Sequence, residues 1–161
     1  MPNNILIKLQ EGDRAPGFET INQNEQKISL SDFMGKHVIL YFYPRDNTPG
    51  CTKEACAFRD AFAQLESMGV VVLGVSCDNV SSHQKFISKF ELPFDLLADT
   101  SQEIVKAYDV WGPKQFMGRT FDAIHRVSFW INPEGMIEKI WTKVKPDVHA
   151  SEVIEAIKAF E

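Results

Sequence analysis

Two hydrophobic patterns alternate along the chain. Residues 38–43 and 70–76 are apolar at nearly every position, which predicts strands that are buried on both faces, as in the centre of a parallel sheet. Between them, residues 52–68 carry apolar side chains at steps of three and four, which predicts an amphipathic helix. This half of the chain therefore predicts a strand–helix–strand unit.

Shorter segments complete the predicted order of elements. Five of them have the length and the residue types of strands: 18–21, 26–30, 94–97, 127–131 and 136–144. Three further helices are expected, the first capped by Ser81 or Ser82, the second opened by a capping box of Thr100 and Glu103, and the third starting near Ala150.

The predicted order is a hairpin, then βαβαβα, then ββα. Right-handed crossovers between parallel strands place helices on both faces of a sheet, to which the last two strands add antiparallel. We therefore predict an α/β fold, a three-layer sandwich of the thioredoxin-like kind with a central mixed sheet and an N-terminal hairpin extension. Residues 111–124 show neither hydrophobic pattern and are expected to form a long irregular loop. No repeat or linker divides the chain, so residues 1–161 are expected to form a single domain.

Composition narrows the class of protein. The net charge is −5 and no basic stripe is present, so we expect no nucleic-acid partner. No apolar run approaches the ~18 residues of a membrane helix, and the first residues lack the pattern of a signal peptide. A cytoplasmic protein with no membrane partner is therefore expected. Three cysteines are too few for a disulfide scaffold, and in a reducing compartment they are core, metal-binding or catalytic residues.

The loop after the first buried strand contains the candidate chemistry. Cys51 lies where this strand passes into the amphipathic helix, and the partial positive charge of a helix N-terminus favours the nucleophilic thiolate. Thr48 offers a hydroxyl that can donate to an attacked oxygen or to the sulfur, and Pro44 and Pro49 stiffen the loop. Because glycine, proline and polar residues flank Cys51, we interpret it as a reactive thiol rather than an inert core residue.

The other two cysteines are open to a structural interpretation. Cys56 stands beside Ala55 on the amphipathic helix and fits the apolar core. Cys77 ends the second buried strand, where burial at the strand edge is expected. The histidines are scattered without the spacing of metal ligands, and we interpret them as surface or capping residues: His37, His83, His125 and His149.

A family resemblance is carried by the same loop. The pattern Pro44-x-x-x-Thr48-x-x-Cys51 resembles the active-site signature of peroxiredoxins. Cys56, after four intervening residues, resembles the peroxiredoxin Q group, also called bacterioferritin-comigratory proteins. The similarity covers nearly the whole chain from Glu11 onward. It continues in five short segments: Gly74-Val75-Ser76, Ser82-His83, Leu96-Leu97-Ala98-Asp99, Gly118-Arg119 and Arg126-Val127-Ser128-Phe129.

The resemblance implies a role for each matching residue. Cys51 would be the peroxidatic cysteine, which attacks a hydroperoxide and becomes a sulfenic acid, and Cys56 the resolving cysteine, which forms an intramolecular disulfide with it. Thr48 and Pro44 match the residues that bind and shield the peroxide, and Arg126 matches the catalytic arginine of the family. A guanidinium suits that role because it keeps its charge and offers planar donors to both sulfur and oxygen.

The resemblance also implies the reaction and its partners. The chain is expected to be a thiol-dependent peroxidase of antioxidant defence that reduces hydrogen peroxide and organic hydroperoxides, with no cofactor and no metal. Thioredoxin or a glutaredoxin-like donor would reduce the disulfide. The chain shows no long C-terminal arm, so a monomer or weak dimer is expected. The other two arginines near the candidate site, Arg45 and Arg119, are expected to be exposed.

Three other functions remain open from the sequence alone. Zinc binding by Cys51, Cys56, Cys77 and His83 is disfavoured because Cys56 lies within a predicted helix, whereas ligands of such sites usually come from turns. A disulfide reductase of the thioredoxin type uses Cys-x-x-Cys, which the chain lacks. In a non-catalytic holdase or interaction protein the cysteines would be incidental, and peroxide turnover with a thiol donor would exclude that function.

Overall fold

The structure of the chain, a computed structural model, describes residues 5–160. None of the helices in that range is long and apolar enough to cross a membrane. In chain order the elements are β1 (Glu19–Ile21), β2 (Lys27–Ser29), a 3-10 helix (Leu30–Phe33), β3 (His37–Phe42), α1 (Pro49–Ser67), β4 (Val70–Ser76), α2 (Val80–Phe90), β5 (Asp95–Ala98), α3 (Glu103–Ala107), β6 (Trp111–Phe116), β7 (Arg119–Ile124), β8 (Val127–Ile131), β9 (Ile137–Trp141) and α4 (His149–Phe160).

The central sheet has five strands in the order β5-β4-β3-β8-β9. β3, β4 and β5 run parallel, whereas β8 and β9 pair antiparallel to their neighbours, so the predicted mixed sheet is present. β1 and β2 form a separate antiparallel hairpin, as predicted. The carboxyl ends of the three parallel strands meet at one edge of the sheet, and the loop from β3 to α1 begins there.

The two faces of β3 explain why its sequence is apolar at every position. Ile39 and Tyr41 belong to a core cluster on the face that α1 and α4 cover. Val38 and Leu40 belong to a second cluster on the opposite face, together with residues of α3. Because side chains alternate between the faces of a strand, a strand covered by helices on both sides needs apolar residues throughout.

The prediction of an irregular loop at 111–124 is wrong. These residues form the hairpin of β6 and β7, in which Phe116 pairs with Arg119 around a two-residue turn. Met117 and Gly118 both have positive φ angles, 52° and 78°, as a tight hairpin turn of the I′ kind requires. Most side chains of the hairpin are exposed. The hairpin therefore has no buried face that would impose a regular alternation of apolar and polar residues.

The starts of two helices also differ from the prediction. α2 is capped by Asn79, whose side chain accepts a hydrogen bond from the N–H of Ser82 at 2.9 Å, and not by a serine. The expected capping box of Thr100 is absent from α3, where the Asp99 carboxylate accepts from the N–H of Ile104 at 3.2 Å. The cap of α2 therefore lies further back along the chain than predicted, whereas the N-cap of α3 is Gln102, which makes no side-chain capping hydrogen bond.

Candidate active site

Helix α1 begins at Pro49 rather than at residue 52, which places Cys51 in its first turn. Proline suits this position because the first N–H groups of a helix have no partner within the helix. Thr48 is the N-cap, and its carbonyl accepts from the N–H of Thr52 at 2.8 Å. Cys51 is only 1% exposed, so its sulfur is buried at the positive end of the helix. The first N–H groups of the helix, which carry its partial positive charge, therefore surround this sulfur.

The side chain of Arg126 forms a hydrogen bond with the sulfur of Cys51. It lies between β7 and β8, and because Val127 pairs with Phe42, β8 brings it to the carboxyl end of β3. Its Nη2 donates to the Sγ of Cys51 at 3.3 Å, and its Nη1 donates to Oε1 of Glu54 at 2.7 Å. One guanidinium therefore bridges the thiol and a buried carboxyl group.

Glu54 is a site residue that we did not predict from the sequence. It is fully buried on the same face of α1 as Cys51, Ala55 and Phe58. Burial raises the pKa of Glu54 to about 7, although the Arg126 guanidinium opposes this effect. The sequence could have indicated this residue, because a glutamate three residues after Cys51 interrupts the apolar face of an amphipathic helix.

Two other side chains contribute to the electrostatics around the sulfur. Burial raises the pKa of Tyr41 well above its usual value, and the charges of Glu54 and Cys51 raise it further, so this phenol stays neutral. Lys114 on β6 interacts with the charges of Arg126 and Cys51. Its pKa is lowered by partial burial and then by Arg126, whereas Cys51 opposes that decrease.

The two other predicted residues of the loop do not contact Cys51 through a hydrogen bond. The Thr48 hydroxyl donates to the carbonyl of Arg45 at 2.9 Å. Pro44 lines a cavity of about 360 Å³ between the loop and the β6–β7 hairpin, together with Trp111 and Phe121. Arg45 is exposed, and so is the other arginine considered, Arg119, in agreement with expectation.

Cys56 lies in the same uninterrupted helix as Cys51, and both thiols are free. Cys56 is half-buried, whereas Cys51 is buried. Five residues along an intact helix separate two Cα atoms by ~8–9 Å. A disulfide rarely spans more than ~7 Å between Cα atoms. The helix therefore keeps the two thiols apart in this conformation.

Cys77 has the environment of an unreactive thiol. It is half-buried just beyond β4 and packs against the core cluster on the face opposite α1. Burial raises its pKa to about 12, and the charges of Asp99 and Asp78 add to this effect. Because the thiolate is the nucleophilic form, Cys77 is a poor competitor for the sulfenic acid.

The interpretation of the histidines as surface or capping residues is wrong for three of them. His83, His125 and His149 are buried, and their ring nitrogens contact polar partners that the sequence places far away. Within residues 5–160, the side chains close enough to share a metal ion are Asp46, Asp78 and His83, without any cysteine. The four residues considered for zinc therefore do not converge.

A buried thiol on the first turn of a helix, held by an arginine at the edge of a mixed α/β sheet, defines a thiol-based redox enzyme. The AhpC/TSA family matches residues 11–140, and the chain belongs to this family. The predicted thioredoxin-like fold, the resemblance to peroxiredoxin Q proteins and the thiol-dependent peroxidase activity are confirmed by this match and by the relatives that follow.

Similar proteins and a similar solved structure match this chain over almost its full length. The peroxiredoxin Bcp of Bacillus subtilis is 41% identical over 152 residues, which cover 94% of this chain and 97% of that protein. The peroxiredoxin Bcp of Escherichia coli is 41% identical, with coverage of 93% and 96%. A structure of a PrxQ mutant from Xylella fastidiosa has a TM-score of 0.90 at 34% identity and covers 94% of this chain and 97% of its own.

The buried carboxyl group of Glu54 makes stability depend on pH. Its folded-state pKa of about 7 lies above that of an unfolded glutamate, so the stability contributed by its protonated form is complete below pH ~4 and is lost as pH rises through about 7. We predict that Glu54→Gln gains stability relative to the wild type as pH rises from roughly 5 to 8, by up to about 3 kcal/mol. Urea unfolding at several pH values measures this difference.

The control for this measurement is Glu66→Gln, which changes an exposed glutamate of the same helix. It should leave the pH dependence of the wild type unchanged. A difference between Glu54→Gln and the wild type that stays constant across this pH range would show that Glu54 is not protonated in the folded protein at neutral pH.

Proposed function

We propose that the chain reduces hydroperoxides with Cys51 as the attacking thiolate and Cys56 as the thiol that resolves the product. The observation that carries this assignment is the contact of 3.3 Å between Nη2 of Arg126 and the sulfur of Cys51. A cation that touches a buried sulfur stabilises the thiolate and then the negative charge that forms when the O–O bond breaks.

In the first step the thiolate of Cys51 attacks one oxygen of the hydroperoxide. A sulfur–oxygen bond forms, the O–O bond breaks, and the leaving oxygen takes a proton and departs as an alcohol or water. Arg126 stabilises the leaving oxygen, and Glu54 orients Arg126 through their contact of 2.7 Å. The Thr48 hydroxyl, at the cap of the same helix, is proposed to turn from Arg45 to the peroxide, which Pro44 helps to shield.

Gly50 leaves room for this arrangement. A methyl group in place of its hydrogen would lie 3.1 Å from Nη2 of Arg126. Any Cβ at this position would therefore require the guanidinium to shift by a few tenths of an ångström. If Arg126 has the proposed role, glycine is favoured at position 50 because it leaves space for the guanidinium, and not because of its backbone conformation.

In the second step the Cys56 thiol attacks the sulfenic acid, the Cys51–Cys56 disulfide forms, and water leaves. Because the intact helix keeps the thiols apart, the first turns of α1 must unwind for this step. Unwinding exposes part of the apolar face, including Ala55 and Phe58, which are buried in the assembled state. A thiol donor then returns both cysteines to the thiol form.

The substrate and the partners follow from this chemistry. Hydrogen peroxide and organic hydroperoxides are the proposed substrates. A solved structure of the Xanthomonas campestris bacterioferritin comigratory protein concerns alkyl peroxide reduction and has a TM-score of 0.84 at 34% identity. We further propose that the chain works in the cytoplasm in antioxidant defence, as one domain and as a monomer or weak dimer, with thioredoxin or a glutaredoxin-like protein as its reductant.

The roles of the cysteines are tested by replacing each with serine. Cys51→Ser should abolish peroxide reduction because a serine hydroxyl is hardly ionised near neutral pH. Cys56→Ser should allow a single stoichiometric turnover and then stop as a sulfenic acid. Cys77→Ser is the control and should keep multiple turnover, since its thiol has a raised pKa. Peroxide consumption with a dithiol donor and mass spectrometry of the products measure these outcomes, and multiple turnover by Cys51→Ser would contradict the assignment.

The role of Arg126 is tested by Arg126→Met, which keeps much of the side-chain length and removes the charge and donors. We expect Cys51 to ionise at a higher pH and peroxide cleavage to slow by ~100-fold, the effect of losing one preorganised donor. Arg119→Met is the matched control, because Arg119 is exposed on β7. Equal rates for the two variants would mean that Arg126 has only a structural role.

A further inference from the structure

A buried pair of hydrogen-bonded side chains, Asp46 and His83, lies directly behind the loop that carries Cys51. Asp46 precedes the N-cap of α1 by two residues and is only 8% exposed. Its Oδ2 contacts Nδ1 of His83 at 2.7 Å and accepts from the Ser82 hydroxyl at 2.8 Å. Its Oδ1 accepts from the Tyr43 hydroxyl at 2.6 Å. The carboxylate therefore has a partner at each oxygen, and none of these partners is part of the reaction.

The partners of His83 occupy both of its ring nitrogens. His83 is fully buried, and its Nε2 lies 3.0 Å from the carbonyl of Leu97, which only accepts. Nε2 must therefore carry a hydrogen. Nδ1 faces a carboxyl group whose other neighbours are two hydroxyl donors. The contact is a buried hydrogen bond, and the loss of either partner leaves the other without it.

The pair connects the loop to all three parallel strands. Tyr43 follows β3, and Leu97 belongs to β5. The N–H of Asp46 donates to Oδ2 of Asp78 at 2.8 Å, and the same oxygen accepts from the hydroxyl of Ser76, the last residue of β4, at 2.7 Å. His83 itself belongs to α2. Four elements that do not take part in the reaction therefore fix the position of residue 46.

The loop becomes exposed immediately after Asp46. Asn47 is exposed and has a positive φ angle of 60°, and the next residue caps the helix that carries Cys51. The first turn of α1 is therefore attached to a rigid residue through a single exposed one. The hydrogen bonds that hold Asp46 in place therefore also favour the helical position of Cys51.

We propose that Asp46 and His83 are positioning residues that stabilise the loop in the conformation that reacts with peroxide and oppose the unwinding that lets Cys56 reach Cys51. This proposal rests on the function proposed above for the two cysteines. The pair touches neither the substrate nor the reacting sulfur. It acts on the equilibrium between the assembled and the unwound states of the first turns of α1.

Loss of the contact between Asp46 and His83 should change the rates of the two chemical steps in opposite directions. Attack on the peroxide needs the assembled loop, whereas disulfide formation needs the unwound one. Removing the imidazole leaves the buried Asp46 carboxyl group without one of its hydrogen-bond partners, and this penalty is relieved when the loop opens to water. Loss of the pair therefore slows the first step and speeds the second, which a general loss of stability does not do.

The test is the variant His83→Gln, in which the two steps are measured separately. In a Cys56→Ser background, rapid quenching and thiol labelling give the rate of sulfenic acid formation at Cys51. With Cys56 present, mass spectrometry gives the rate at which the sulfenic acid becomes the disulfide. We expect the second rate to rise by roughly tenfold and the first to fall by a smaller factor, because a shift that multiplies the minor unwound population changes the major assembled population less.

Two comparisons separate positioning from structural damage. Ile137→Val shortens a buried side chain of β9, on the face of the sheet opposite α1, and should lower the unfolding temperature without moving the two rates apart. The double variant Asp46→Asn with His83→Gln removes both partners of the contact, so no buried carboxyl group lacks its partner and both rates should return toward those of the wild type. If His83→Gln fails to fold, Ser82→Ala removes one donor to Asp46 and should move the rates in the same directions by a smaller factor.

The proposal is overturned if both rates fall together in His83→Gln, or if neither differs from Ile137→Val. A different result would contradict the function proposed for the two cysteines. If the protein with native His83 forms no Cys51–Cys56 disulfide after stoichiometric peroxide, the proposed resolving role of Cys56 is wrong. The rate of sulfenic acid formation alone then decides whether Asp46 and His83 position Cys51.

Discussion

The contact between Arg126 and Cys51 is the interaction on which the rest of the site depends. It exists only while α1 begins at Pro49, because that start places the sulfur in the first turn, 3.3 Å from the guanidinium. The same uninterrupted helix keeps Cys56 out of reach of Cys51. One helix therefore has two incompatible tasks: it must be intact for the attack on the peroxide and broken for the formation of the disulfide.

The surrounding structure supports the intact state from several directions. The antiparallel pairing of β8 with β3 brings Arg126 to the loop, and Glu54 holds the far side of the guanidinium. Phe58, one turn further along α1, stacks on Tyr41 of β3 with ring centroids 4.8 Å apart. On the other side of Cys51, Asp46 is fixed by its contact with His83. These attachments hold the segment from Asp46 to Phe58, which rearranges when α1 unwinds, in its intact state.

Much of this fold was predictable from the sequence, for a physical reason. β3 and β4 are buried on both faces, so their apolar runs are unambiguous, and the position of Cys51 follows from the junction of strand and helix. The β6–β7 hairpin was missed because its exposed faces impose no alternation. The contact between Asp46 and His83 was not predictable, since 37 residues separate the partners and only the fold brings them together.

Hydrogen exchange in the reduced and the peroxide-oxidised protein tests the central claim most directly. If the disulfide requires α1 to unwind, the amides of residues 51–58 lose protection on oxidation, because their helical hydrogen bonds open to water. The amides of β3 (His37–Phe42), in the centre of the sheet, keep their protection. Equal protection of residues 51–58 in the two states, with the Cys51–Cys56 disulfide present, would contradict the account.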